Sequence, residues 1–314
     1  MTKLIATRDA YGETLAALGE SNKDIVVLDA DLSGSTKTNI FAKKFPDRFF
    51  NMGVSEADMM GTAAGLAAAG KIPFASTFAI FASGRAWEQV RQSIAYPKLN
   101  VKIVASHSGI TVGEDGGSHQ AIEDIALMRV IPNMTVIVPC DGIETRSAIQ
   151  EIVKYNGPVY VRVARGKFPV ILPEDYKFAI GKGVVVKDGK DATIIAAGLM
   201  VSHALEAAGM LEKDGMKVRV INMSTIKPID RDLIINAAKE TRAIVTCEEH
   251  SIIGGLGEAV AGVVAEECPV PMKRVGMQDV FGQSGTAEEL LAHYALMPPD
   301  IAKAVREVIA KKRK

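Results

Sequence analysis

The stretch SHSGITVGEDGGSHQ, residues 106–120, carries His107 and His119 with Glu114 and Asp115 between them. Glycines 109, 113, 116 and 117 are expected to let the backbone turn through positive φ and return both imidazoles to one cleft. Two imidazoles beside a carboxylate can donate to hydroxyl, carbonyl or phosphate oxygens of a substrate and move protons near neutral pH. Their spacing fits no common metal-ligand motif, so no metal is assigned to this chain. Glu56, in NMGVSEADMMGTAAGLAAAG, sits at the start of a helical pattern that Ser55 is expected to cap, where the helix dipole favours an acid. The Gly and Ala behind it point to close packing against another backbone and so to a buried start, from which a carboxylate can trade a proton with a ligand. Phe78 and Phe81, in ASTFAIFASGRAW just past a strand pattern, serve either as core or as a stacking platform for a flat ring. Arg8, Ser35 and Arg165, if gathered on one rim, make an anion site, because guanidinium grips phosphate as a bidentate fork.

Those side chains need a scaffold, and the pattern around them supplies one. Short β-rich runs (DIVVLDA, KIPFAST, VKIVAS, MTVIVP, PVYVRVA) alternate with helical stretches such as SEADMMGTAAGLAAAG and DGIETRSAIQEIVKYN. The alternation predicts βαβ units around a parallel sheet, and open parallel sheets bind ligands beyond the carboxyl ends of their strands. Those ends are DADLSGS, STFAIF, SHSGITVGEDGGSH and ARG, so one rim collects acids, hydroxyls, phenylalanines, both histidines and Arg165. RGKFPVILPEDYKFAIGKG holds no sustained period and reads as a linker. Beyond it, ATIIAAG, KVRVINM, AIVTCEEH and MKRVGMQ predict a second, smaller α/β domain, closed by the helix PDIAKAVREVIAKKRK with Pro299 at its start. In CEEHSIIGGLGEAV, Val260 stands where a dinucleotide loop needs its third glycine, so Gly255 and Gly257 are expected to serve a tight turn and close helix packing. CEEH is not assigned to a metal, because adjacent residues of an extended strand point to opposite faces.

The totals exclude whole classes of partner. Lysine plus arginine equals aspartate plus glutamate at 37 each, so no overall field favours nucleic acid or a membrane surface. The basic run Lys311–Lys314 reads as a frayed tail. Three scattered cysteines, Cys140, Cys247 and Cys268, argue for reduced thiols rather than a disulfide framework. Nothing reads as a signal or a membrane span, and a cytoplasmic location is the expectation.

IATRDA, DADLSGS, GVSEADM, STFAIF, GEDGGSHQ and the arginine of VARG follow one another in the order that resembles transketolase, specifically its second half. The resemblance covers nearly the whole chain. It implies an α/β protein of two domains, each a mostly parallel sheet flanked by helices: a pyrimidine-binding domain over 1–170 and a transketolase C-terminal domain over 171–314, linker included. It further implies that Glu56 hydrogen-bonds the aminopyrimidine of thiamine diphosphate, promoting the tautomer that activates the thiazolium carbon. Phe78 and Phe81 would line the aminopyrimidine pocket, with Asp31 an acid near the cofactor. Asp115 would read the hydroxyl next to the ketose carbonyl, and His119 the oxygens of the two-carbon unit. Arg8, Ser35, His107 and Arg165 would form the sugar-phosphate clamp.

Three departures from the family pattern stand out. ASGRAW places Gly84 near a position where the family carries a tyrosine, with the spacing one residue different. The loop has Ser108 and Gly109 for Asp-Ser, and Gly117 for a proline. Most consequential, the chain has no GDG motif, the element that with a later asparagine holds Mg²⁺ and the diphosphate in transketolase. The resemblance therefore implies the C-terminal subunit of a two-chain transketolase: thiamine diphosphate shared with an N-terminal subunit that holds Mg²⁺, an α₂β₂ assembly, and ketol transfer between sugar phosphates. The same fold would also serve the β subunit of a 2-oxo acid dehydrogenase, a deoxyxylulose phosphate synthase-like enzyme, or a non-catalytic scaffold. GEDGGSHQ and the Arg8 and Arg165 pair speak for transketolase, since decarboxylation of a 2-oxo acid has no sugar phosphate to clamp.

Overall fold

The computed structural model describes residues 3–312, so the last two residues of the basic run lie outside the described residues. In chain order the strands are β1 (Leu4–Ala6), β2 (Ile25–Asp29), β3 (Phe49–Asn51), β4 (Ile72–Ser76), β5 (Lys102–Ala105), β6 (Thr135–Ile137) and β7 (Val159–Arg162). They continue with β8 (Lys167–Pro169), β9 (Val184–Lys187), β10 (Ala192–Ala196), β11 (Val218–Asn222), β12 (Thr225–Lys227), β13 (Ile244–Ser251) and β14 (Met272–Met277). The first sheet has seven strands in the order β12-β6-β7-β5-β4-β2-β3, and the second has five in the order β14-β13-β10-β11-β9. Every neighbour pair is parallel except β12 with β6 and β9 with β11.

The central strands β2, β5, β7 and β10 are buried along their whole length. That is why they read as unbroken apolar runs rather than as alternation: helices cover both faces of a parallel sheet. Apolar side chains on the two sides of the first sheet feed separate clusters, one through Met59, Ile103 and Val136, the other through Tyr11, Ile25 and Val161. A third cluster fills the second sheet's face through Ile194, Val220 and Val305.

Every strand run singled out in the sequence forms a strand, but five short ones were not expected. β1, β3, β8, β9 and β12 are three or four residues long, too short to show a period. β8 falls in the stretch read as a linker, where it pairs antiparallel with β1. β12, from the second half of the chain, adds itself to the edge of the first sheet. The two halves therefore share a sheet. The closing helix, Pro298–Lys312, starts one residue before Pro299. No helix among the described residues is long and apolar enough to cross a membrane.

The helix Glu56–Ala68 departs from expectation in two ways. Ser55 makes no side-chain capping hydrogen bond. Gly61 and Gly65 face open space, so no backbone of this chain packs against them, although Glu56 itself is 5 % exposed.

Candidate active site

The order of the strands brings the rim residues into a row. Reading across β7, β5, β4 and β2, the carboxyl ends deliver Arg165, His107, Phe78 and Asp31 in turn. His107 is built at φ +56°, a left-handed conformation that turns the chain sharply at the end of β5. Glycines 109, 113 and 116 carry the loop back through φ values of +72°, +85° and +75°. Gly117 has no such φ; it is small because a Cβ there would come within 2.7 Å of the Gly282 carbonyl oxygen.

Four rings meet at this rim. Phe78 stacks on His107 with centroids 3.9 Å apart and lies near-parallel to Phe81 at 5.8 Å. His119 presents an edge to Phe81 at 5.5 Å and to Phe78 at 6.3 Å. The Arg85 guanidinium lies over the Phe81 ring, 4.1 Å from its centroid. Arg85 also donates from Nη1 to Oε1 of the buried Glu56 at 3.1 Å. Thus the rings and the acid, far apart in sequence, are physically joined through one arginine that the sequence reading passed over. Its placement follows from local geometry: Phe81–Arg85 is a π-helical stretch, a widened turn that absorbs an extra residue. Gly84, where the spacing departs from the family pattern, falls within this stretch.

A cluster of cations gathers around His107. Arg8 Nη1 reaches His107 Nε2 at 3.3 Å and donates to the Ser35 carbonyl oxygen at 3.1 Å, so Ser35 enters through its backbone. The buried Arg8 Nε has no partner. Burial, with Arg8, Arg165, His119 and Lys37 around it, pulls His107 down to about 3. An imidazole so placed stays neutral across the physiological range and meets a ligand as a neutral hydrogen-bonding group. Its Nε2 accepts from Arg8, which puts the ring proton on Nδ1, 2.9 Å from Ser106 Oγ. Burial also lowers Arg8, Asp9 offsets this, and Arg165 lowers it further. Lys37 was not singled out in the sequence; it stands in the left-handed region and pairs with Asp9 at 3.6 Å.

Arg165 is brought to the same end of the sheet, near enough to Arg8 for the two charges to be felt. It donates to the Val112 carbonyl at 2.7 Å and lies 3.6 Å from Glu114 and 3.8 Å from Asp115. Asp115 is exposed, with Arg165 as its neighbour. Asp31 is exposed too and accepts from Asn51 Nδ2 at 2.9 Å, at the end of β3. The acid that shapes its loop is the fully buried Asp29, also passed over. Its Oδ1 accepts from Leu32 N at 2.6 Å, and its Oδ2 from the Thr36 and Thr38 hydroxyls at 2.7 and 2.8 Å.

The CEEH strand behaves as its alternation required. Glu248 turns to its own helix, accepting from Leu256 N at 2.7 Å and Gly257 N at 2.8 Å, while Glu249 turns to the loop and accepts from Thr111 N at 2.5 Å. A Cβ at Gly255 would collide with the Glu248 carboxylate, which explains that glycine by close packing. Among the described residues no group of three or more His, Cys, Asp or Glu is placed to hold a metal ion.

With this geometry in place, comparison with known proteins fixes the class. The pyrimidine binding domain of transketolase matches residues 3–170, and the transketolase C-terminal domain matches residues 181–301. The chain belongs to the transketolase family. Among individual proteins, it is 55 % identical over 307 residues to a Methanocaldococcus jannaschii chain named for the C-terminal section of transketolase, covering 97 % of this chain and 96 % of that one. It is 43 % identical to the 6-deoxy-6-sulfo-D-fructose transketolase subunit SqwH of a Clostridium strain, covering 97 % and 95 % of the two chains. A split gene transketolase solved as an inactive beta4 tetramer superposes with a TM-score of 0.93 at 56 % identity, over 98 % of this chain and 100 % of that one.

Proposed function

We propose that this chain is the C-terminal subunit of a two-chain transketolase, which moves a two-carbon ketol unit from a ketose phosphate to an aldose phosphate. The observation that carries the reading is the buried Glu56 carboxylate joined through Arg85 to the stacked rings of Phe81, Phe78 and His107. These residues fit the aminopyrimidine end of thiamine diphosphate: a buried acid to hydrogen-bond a ring nitrogen and an aromatic cluster beside it to line the pocket of a flat heterocycle. When bound, that cofactor supplies a nucleophilic carbon able to attack a carbonyl.

This chain's own residues do the rest. Glu56 holds a proton at the pyrimidine nitrogen. Asp115 and His119 meet the substrate's hydroxyl and carbonyl oxygens, and His119 is the imidazole left to exchange protons there. Arg8, with its unpartnered Nε and its contact to the neutral His107, grips the terminal anion of the sugar together with Arg165. A sulfonate would be gripped by the same guanidinium chemistry, in keeping with the sulfosugar named for one relative. Asp31 stands near the cofactor as a loop acid. The domains divide near residue 170.

The lack of a GDG motif, and a relative solved as an inactive tetramer of β chains, support a partner that holds the diphosphate and Mg²⁺ in an α₂β₂ complex. The test is to purify this chain with a co-expressed chain bearing GDG and a later asparagine. The pair, given thiamine diphosphate and Mg²⁺, is expected to convert xylulose 5-phosphate and ribose 5-phosphate to the chain-exchanged products. Full turnover by this chain alone would sink the two-chain reading, and CO₂ release from pyruvate in place of transfer would sink the ketol reading.

A further inference from the structure

One of the places where the second half of the chain reaches over the first bears on the site. The loop Ser106–Gln120 carries His107, Asp115 and His119, and residues of the second half hold it along its length. Glu249, 4 % exposed in the last part of β13, accepts from Thr111 N at 2.5 Å. Gln120 Nε2 donates to the Gln283 carbonyl at 2.9 Å, and Ser284 Oγ donates to the Glu114 carbonyl at 2.6 Å. Behind Glu249, Arg162 at the end of β7 ties its backbone down, donating from Nη2 to the Glu249 carbonyl at 2.9 Å.

The loop is also shaped to receive this hold. A Cβ at Gly109 would collide with the Glu249 carboxylate, and one at Gly117 would press on Gly282. These are two of the positions at which the loop departs from the transketolase pattern, and both lie directly under residues of the second half. A carboxylate buried against one backbone N–H is costly to place unless that bond is kept, which makes the contact a fixed point rather than a passing one.

We propose that Glu249 is a positioning residue: through Thr111 it fixes the loop that presents Asp115 and His119 to the sugar, so the second half of the chain completes the substrate side of the site while leaving the ring-binding side to the first half. The substrate class rests on the transketolase reading above; the mechanical claim does not.

Two measurements separate them. In the full chain, hydrogen exchange of peptides covering 108–120 is expected to quicken roughly ten- to hundredfold in Glu249→Ala, the loss expected when a buried donor is left without its partner, with peptides covering 56–68 and 72–82 unchanged. Glu249→Gln keeps an acceptor oxygen and should restore most of the protection. In the reconstituted two-chain enzyme, Glu249→Ala should raise KM for the ketose phosphate about tenfold or more while the concentration of thiamine diphosphate giving half-maximal rate stays put, and Glu249→Gln should lie near wild type. Unchanged exchange at 108–120 would overturn the proposal, as would a uniform rise across all peptides or an equal weakening of cofactor and sugar. Where the wild-type pair shows no ketol transfer, the function assigned above has failed, and the exchange pattern alone decides whether Glu249 holds the loop.

Discussion

His107 illustrates how a neighbourhood changes what a residue type can do. A histidine in a glycine-rich loop suggests proton traffic near neutrality, yet burial beneath Phe78 and beside Arg8 leaves it neutral, with its value pulled down to about 3 from 6.5. Between those two values the folded chain binds fewer protons than the unfolded chain at this site. Its contribution to stability is present above about 6.5 and is lost as the pH falls toward 3. Glu248 and Glu249, both pushed up to about 7, titrate with the opposite sign, so the total curve is not diagnostic. Asn tolerates positive φ, and the stability gap between wild type and His107→Asn is expected to shrink by ~1.4 kcal/mol per pH unit below about 6.5, read from urea unfolding at a series of pH values. A gap constant with pH would show that His107 titrates normally. Glu56→Gln keeps the shape of the acid and removes the ionisable group, and in the two-chain enzyme it should slow turnover by ~10²–10⁴-fold. An unimpaired variant would remove Glu56 from the chemistry.

Elements are held in place here by acids that serve two masters. Asp141 caps the helix Gly142–Ile152 by accepting from Glu144 N at 2.8 Å, and its other oxygen accepts from Ile171 N at 2.7 Å and Leu172 N at 2.9 Å. One side chain thus starts a helix and anchors the connection between the sheets. Glu248 caps the helix Leu256–Glu267 from the strand before it, and it can do so only because residue 255 has no Cβ. Gly255→Ala is expected to cost roughly 1–3 kcal/mol by overpacking, seen as a lowered Tm with the loop 108–120 still protected. A neutral substitution would mean the carboxylate can move aside without loss.

Across the whole molecule the two halves are interlocked rather than adjacent. β12 closes the first sheet's edge, and Asn222, from the second half, donates from Nδ2 to both oxygens of the buried Glu144 at 2.8 and 3.0 Å. Domains tied through a shared sheet and buried polar contacts should unfold together. The single tryptophan, Trp87, reports only on the first half, donating from Nε1 to the Leu127 carbonyl at 2.9 Å. Its fluorescence and the far-UV circular dichroism of the full chain are expected to give one coincident urea transition. Separate midpoints would show that the halves fold independently.

The longer strands of both halves were legible because strands such as β2, β5, β7 and β10 are buried on both faces and so are apolar without interruption. The same local chemistry marked the rim, since acids, rings and histidines follow strand ends, where open sheets leave room for a ligand. Burial and pairing between distant segments decided the rest, and neither is written in any window of sequence. Only the packed molecule neutralises His107, seats Arg85 between Glu56 and Phe81, makes Asp29 rather than Asp31 the buried acid of its loop, and lays Glu249 on Thr111 across 138 residues of chain.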